Sequence, residues 1–316
     1  MEAYSFSTDG ECPFVCPRDR EPLRPSTAFL SCPQCGTAYP VVRGVPILLN
    51  EGESLFDTDE IRATAAEVQE GSGYWRQQGR HRLYRRIVGK IQNHTVHIST
   101  CNARAAIAQV RQENPDARVL VIGAANNDFG ADDIVYSDVC LGAKVSVVFD
   151  AHAIPYPNGY FDLVIAVAIL EHVLDPWQCA QEMTRVVAPE GYVYSSIPFL
   201  QPVHMGAYDF TRFTYLGHRH LFRWFSEIDG GSEMGPATST AFAFQSVLLS
   251  FSDRPLVRKV MRLAGILGAA VLKPVDRLIW RQQATIDGAA STFFFGQKMD
   301  HPIADRELLK HYRGAQ

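Results

Sequence analysis

The sequence predicts an α/β protein: a doubly wound parallel sheet preceded by a small metal-held module. Two observations carry this. Short β-branched runs, "RVLVIG", "DIVYSDV", "KVSVVFD", "FDLVIAVA" and "GYVYSSIP", recur between residues 118 and 198, and continuous apolar runs of this length suit parallel strands buried on both faces. Four cysteines crowd between Cys12 and Cys35, which points to a metal rather than to disulfides in a reducing compartment.

At 316 residues the chain is long enough for a full core and one appended unit. Hydrophobic residues make up 47% and charged residues 20%, the balance of an ordinary globular protein. No apolar run approaches the roughly 20 residues needed to cross a bilayer. The start, "MEAYSFSTDGECPF", lacks the basic end and apolar run of a signal peptide, so a cytoplasmic protein is expected. A formal net charge of −4 supplies no overall basic face for nucleic acid. Cys101, Cys140 and Cys179 have apolar neighbours and read as core residues.

Residues 1–50 form the metal-held unit. In Cys32-Pro33-Gln34-Cys35-Gly36 two thiolates three positions apart face one ion, and the glycine permits the tight turn. The first half is irregular: Cys16-Pro17-Arg18-Asp19 has the same spacing with a carboxylate in second place, and Cys12 offers a thiolate at a looser spacing. Closed zinc sites favour thiolates, so the expected structural zinc ligands are Cys12, Cys16, Cys32 and Cys35, with Asp19 as the alternative to Cys12. "YPVVRGVPILL" follows as a strand. This segment resembles the small zinc-ribbon proteins that partner tRNA methyltransferases, and the resemblance implies a docking or stabilising module.

Residues 51–116 read as a polar helical linker and cover, with "YWRQQGRHRLYRRI" as a basic amphipathic piece. The domain from 117 to 316 then carries the strand runs, with "WQCAQEMTRVV" showing helical periodicity between the fourth and fifth. In such a sheet the ligand sits at the carboxyl ends of the strands. "STFFFGQK" closes the sheet, after a helical insertion at about 236–285.

Four pieces in order, Asp150-Ala151-His152, "IPYPNGYFD", "ILEHVLDP" and "RVVAPEGY", resemble the class I S-adenosylmethionine (SAM)-dependent methyltransferases of the ubiquinone/menaquinone-biosynthesis type. The resemblance implies a Rossmann-like methyltransferase sheet with SAM as cofactor. It implies that Asp138 accepts hydrogen bonds from the ribose hydroxyls, that Asp150 and Ala151 border the adenine, and that Ile169 to His172 floor the site. The cofactor turn would be Gly123-Ala124-Ala125-Asn126-Asn127. There the chain departs from the family: Val121 replaces an acid, and later glycines fall on Ala125 and Asn127. Asparagine adopts positive φ more readily than most residues, so the turn can form. Only ten residues separate Gly123 from Ile134, so the first crossover helix must be nearly absent.

Beyond the fifth strand, "PFLQPVHMGAYDFTRF" places His204, Asp209 and Arg212 where an acceptor would approach the methyl donor. Transfer to oxygen needs a base, and histidine titrates in the right range. His204 is the first candidate and His172 the second. Asp209 either assists or forms a clasp with Arg212. His218 and His220 read as packing or surface residues. The stretch from Arg254 to Arg281 is apolar and basic, a packed helix, or else a lid over an anionic or lipid-linked substrate, or a surface in peripheral contact with a membrane. The expected function is methylation of a small molecule, a sugar or other natural-product intermediate, at oxygen, with a homo-oligomer as a further expectation. The competing readings are a methyltransferase fold that no longer methylates and, disfavoured by the acidic balance, an RNA methyltransferase.

Overall fold

The computed structural model describes residues 12–63, 96–124 and 128–316. Four short strands come first: β1 (Arg24–Pro25), β2 (Phe29–Ser31), β3 (Ala38–Val42) and β4 (Val45–Leu48). Helices α1 (Thr58–Ala63) and α2 (Ala103–Glu113) precede β5 (Val119–Ile122), β6 (Val135–Asp138), β7 (Val147–Phe149) and β8 (Phe161–Val167). Helix α3 (Pro176–Val186) leads into β9 (Val187–Pro198), and α4 (Tyr215–Leu221) into β10 (Phe225–Met234). Helices α5 (Pro236–Leu249), α6 (Pro255–Leu272), α7 (Asp276–Ile279) and α8 (Ala284–Asp287) come before β11 (Ser291–Lys298), and α9 (Asp305–Leu308) follows it. The piece "YWRQQGRHRLYRRI" lies outside the described residues.

The strands form one sheet in the order β1-β2-β3-β4-β7-β6-β5-β8-β9-β11-β10. From β4 to β9 neighbours run parallel, and β11 runs antiparallel between β9 and β10. This is the Rossmann-like α/β methyltransferase fold. All four residues of β5 are buried. Leu120 and Ile122 enter the core on one face and Val119 and Val121 the core on the other, as the period of two requires. Helix α3 covers the first face through Cys179, Ala180, Met183 and Val186, and α2 covers the second through Ala106, Ile107 and Val110. Both helices begin on a cap. The Asn102 side chain accepts from the Ala105 N–H, and Asp175, followed by Pro176, accepts from the Gln178 N–H.

Two features differ from the sequence expectation. The N-terminal strands do not stand apart, because β4 pairs with β7 through Ile47–Val148 and Leu48–Phe149. Phe14 packs on Tyr156 at 5.1 Å, and the Val15 N–H donates to the Pro155 carbonyl at 3.0 Å. One apolar core is therefore shared. The second feature is β10, which "FSEIDGGSEM" conceals because its charges and glycines break the strand pattern; pairing with β11 supplies what propensity does not. The short crossover between β5 and β6 holds no helix among the described residues, as expected. Cys101, Cys140 and Cys179 are buried.

Between β9, β11 and α4 lies a buried polar knot. His218 is fully buried, with Nδ1 at 3.0 Å from Thr292 Oγ1 and Nε2 at 3.0 Å from Ser195 Oγ. Burial, with Arg219 beside it, pushes the imidazole down to about 3. The unfolded chain takes up a proton near pH 6.5 that the folded one refuses, so stability falls as pH drops from 6.5 toward 3. Between pH 6.5 and 4.5 this group alone removes about 2 kcal/mol. Urea unfolding of the wild type and of His218→Gln at both pH values measures it: the variant should lose about 2 kcal/mol less over that interval, and equal losses would refute the assignment.

Candidate functional site

The carboxyl ends of β5, β6, β7 and β8 open into a cavity of about 400 Å³, a size suited to a small-molecule ligand. Its walls include Gly123, Asp138, Asp150, Ala151, Ile169, His172 and His204. These are residues the sequence singles out, drawn from four strand ends and one later loop. Ala124 is fully buried and its N–H donates to the Ser137 carbonyl at 2.8 Å, so it props the turn from behind. Ala125 and Asn126 lie outside the described residues.

Gly123 explains itself. Its φ is +64°, and a Cβ there would fall 1.9 Å from Ile169 Cδ1. The turn after β5 thus closes against the floor residue, and only glycine allows it. Ala168, at the end of β8, takes φ +54° without being glycine. Such a conformation costs about 1–2 kcal/mol for an L-residue, and it turns the chain so that Ile169 and His172 face the cavity.

Two carboxylates stand at neighbouring strand ends. Asp138 is 6% exposed and accepts from its neighbour, the Val139 N–H, at 2.8 Å. Asp150 accepts from the Ser54 hydroxyl at 2.6 Å and the His152 N–H at 3.1 Å, and its Oδ1 lies 2.5 Å from His152 Nδ1. Burial works against its ionisation, yet these hydrogen bonds hold its carboxyl below the usual range. Burial opposes and Asp150 favours the charged form of His152, and the sum lies on the raised side. The Asp175 N–H, however, occupies His152 Nε2 at 3.0 Å. A proton there would displace that bond, so the geometry holds the neutral Nδ1–H form and ties Asp150 to the cap of α3.

On the far side sits a second group. His204 Nε2 and His172 Nε2 each lie 3.6 Å from Glu171 Oε1, and the two rings meet edge-on at 4.8 Å. His172 Nδ1 lies 2.6 Å from the Tyr208 carbonyl, which fixes its proton there. His204 Nδ1 is 3.4 Å from Asp209 Oδ2, which also accepts the His204 backbone N–H at 2.7 Å. Glu171 foremost, then Asp209, raises His204 above its ordinary value despite partial burial. Asp209 is clamped by Arg212 through both guanidinium nitrogens, which keeps its own carboxyl low against the effect of burial. Asp209 and Arg212 therefore form the clasp, and the clasp orients His204.

Glu171 lies within the span Ile169 to His172 expected to floor the site, but its place between two histidines is what sequence reasoning misses. It is 0% exposed, and neither carboxylate oxygen has a hydrogen-bonding partner among the described residues. Its signal in the sequence is an acid within the apolar run "AVAILEHV". Buried unpaired carboxylates are costly; the cost here is offset by the two imidazoles it faces. These three donors also lie within 4.8 Å of one another, close enough to hold a metal ion. The segment after β4 contributes as well: Leu55 and Phe56 line the cavity, and Phe56 stacks on Tyr208 at 6.1 Å.

At the ribbon, the donors that converge within 4.8 Å are Cys16, Asp19, Cys32 and Cys35. Cys12 is outside that set and packs, partly buried, against the core, so Asp19 takes the place expected for it. The reason is that the two knuckles superpose in pattern. Each has a cysteine, a proline and a second donor at the third position, followed by a left-handed residue, Arg20 at φ +69° and Gly36 at φ +72°. Cys16 Sγ lies 3.7 Å from Cys35 Sγ, and Cys32 Sγ lies 3.2 Å from Asp19 Oδ2. Ligands held at roughly 2.0–2.3 Å around a tetrahedral zinc stand about 3.3–3.8 Å apart, so this donor set fits the metal.

Residues 105–195 match the family model described as a methyltransferase domain, a stretch that contains the strands β5 to β8 whose ends build the cavity. Among curated proteins no sequence matches the chain. Solved structures similar to it include the (4+2)-cyclase SpnF, at 15% identity over 71% of this chain and 95% of that one, with a TM-score of 0.35. A putative sarcosine dimethylglycine methyltransferase from Galdieria sulphuraria is 13% identical over 68% and 98%, with a TM-score of 0.39. The Haloferax volcanii complex of the Trm112 methyltransferase activator and a putative methyltransferase is 14% identical over 61% and 88%, with a TM-score of 0.37.

Proposed function

We propose that the chain is a SAM-dependent methyltransferase that methylates a small molecule, a sugar or other natural-product intermediate, at oxygen. The observation that carries this reading is the pairing of functions in one cavity. Carboxylates of Asp138 and Asp150 stand at adjacent strand ends on one side, and His204, backed by the buried Glu171, stands on the other. Asp138 would take the ribose hydroxyls, and Asp150 and Ala151 would border the adenine, leaving the reactive end of the cofactor toward the histidines. SAM supplies an electrophilic methyl group when bound. The chain's own part is then to align an acceptor hydroxyl and to remove its proton. His204 Nε2 does this, and Glu171 and Asp209 favour the imidazolium that forms. The four-donor cluster of the ribbon holds a structural zinc, Cys16, Asp19, Cys32 and Cys35 being its ligands.

One observation favours a second reading, a methyltransferase fold that does not methylate. No helix among the described residues lies between β5 and β6, so among them no helix dipole meets a cofactor at that turn. Calorimetric titration with SAM separates the two. Wild type should give binding heat, and Asp138→Ala should weaken it by about 1.5–3 kcal/mol, the worth of hydrogen bonds to a charged group. Absence of heat and of thermal shift at millimolar SAM would favour the second reading.

A further inference from the structure

We propose that the α5–α6 hairpin is a docking surface for the face of a bilayer that contains anionic lipids. This goes beyond the methyl-transfer reading and stands independently of it. Helix α6 has 18 residues, about 27 Å at 1.5 Å per residue. Leu256, Val260, Leu263, Leu267 and Val271 follow one another at spacings of four, three, four and four, and are 74%, 56%, 57%, 62% and 74% exposed. A helix at the surface of a globular protein turns its polar side to water and its apolar side inward. This one is reversed along five turns.

The reversal follows from how α6 packs. Gly265 and Ile266 are its buried residues. A Cβ on Gly265 would meet Gln245 Cγ at 2.9 Å, and one on Gly268 would meet Phe244 Cε1 at 2.6 Å. Small residues thus let α5 close on α6 from behind, and the aliphatic row is left facing outward. Leu278, 81% exposed, extends the apolar surface beyond the helix. Single exposed apolar residues are ordinary, but a contiguous row marks an interaction surface.

Charge identifies the occupant. Between Arg254 and Arg281 the side chains of Arg254, Lys259, Arg262, Arg277 and Arg281 are exposed. The acid of that stretch, Asp276, is buried and accepts the Ala237 and Thr238 N–H groups at the start of α5. Just outside it, Asp253 is exposed and 3.8 Å from Arg258. The cations are therefore concentrated here while the whole chain carries −4. Apolar residues rimmed by cations match the acyl boundary and headgroups of an anionic bilayer. A second copy fits worse, since two such faces would bring like charges together. Among the described residues no helix is long and apolar enough to cross a membrane, so the hairpin would rest on the surface. The site also lies well for it. Strand β10 runs parallel to β9, so the hairpin leaves the sheet at its carboxyl end, the end on which the cavity opens, and the Ser239 hydroxyl anchors it to the Leu200 carbonyl at 3.2 Å.

Flotation with vesicles of phosphatidylcholine, with and without about a quarter phosphatidylglycerol, tests this on the full chain. Most of the protein should float with the anionic vesicles and little with the neutral ones, and 0.5 M salt, an arbitrary but strong screen on the scale of ~4 Å, should reduce binding. Leu263→Glu with Leu267→Glu should lower vesicle affinity by about tenfold or more, because each places a charge at the acyl boundary. Lys259→Glu with Arg262→Glu should abolish the preference for anionic lipid. All four positions are at the surface, and unchanged thermal unfolding verifies the fold. Equal flotation of the Leu263/Leu267 variant would overturn the proposal. So would no flotation of the wild type, or a wild-type dimer in sedimentation that the same variant dissociates.

Discussion

His204→Ala is expected to lower turnover by about a hundred- to ten-thousand-fold, the usual contribution of a general base. SAM affinity should stay nearly unchanged, because the Nε2 atom faces Glu171 and the far side of the cavity rather than the Asp138 and Asp150 carboxylates. The pH profile carries a second readout. A base acts in its neutral form, and the Glu171 and Asp209 carboxylates beside it raise His204 above about 6.5. Activity should therefore climb with pH through a limb that lies above that value, and His204→Ala should lose the limb. Glu171→Gln removes a charge that favours the imidazolium, so it should move the limb to lower pH. His172→Ala separates the candidates. Its Nδ1 is engaged by the Tyr208 carbonyl and its ring lines the cavity, so losing it should disturb Tyr208 and weaken SAM binding as well. Near-normal turnover of His204→Ala would make that residue structural and shift the role to His172.

The parts of the fold legible in the sequence are those where local pattern and tertiary burial agree. Strands β5 to β9 are largely buried on both faces, so short runs rich in β-branched residues betray them, and Asp175-Pro176 announces α3 with a cap and a fixed φ. Strand β10 is different: it lies at the sheet edge, half exposed, and its stability comes from β11 rather than from its own residues. Within the site, the family resemblance points to Asp138 and Asp150, and Asp138 has a physical argument beside it, a carboxylate at a strand end where such sheets hold ligands. The place of Glu171 between two histidines could not be read, because nothing local distinguishes a buried acid from a surface one until His172 and His204 are seen around it. Asp19 required the turn geometry. Cysteine is the better zinc ligand by type, but Arg20 and Gly36 in matching left-handed positions decide which side chains converge.

Removing the metal is expected to reach further than the ribbon. Were the N-terminal unit independent, loss of zinc would loosen its own strands and spare the sheet. Strand β4 instead pairs with β7, whose next residue is Asp150. The chain leaving β4 sends Ser54 to Asp150 at 2.6 Å and places Leu55 and Phe56 in the cavity wall. A ligand bound to the folded state alone stabilises it by about 4 kcal/mol when free zinc exceeds its Kd a thousandfold. Cys32→Ser, or chelation, should therefore lower the unfolding temperature and also weaken SAM binding, through the slackened Ser54–Asp150 contact. The identity of the fourth ligand gives the sharper contrast. Asp19→Ala should release zinc, Asp19→Cys should keep it, and Cys12→Ser should leave metal content unchanged. Metal analysis of protein purified without chelator should give one equivalent per chain. Less than about a tenth of an equivalent would sink the zinc assignment. Full zinc in Asp19→Ala, with loss in Cys12→Ser, would return the fourth position to Cys12.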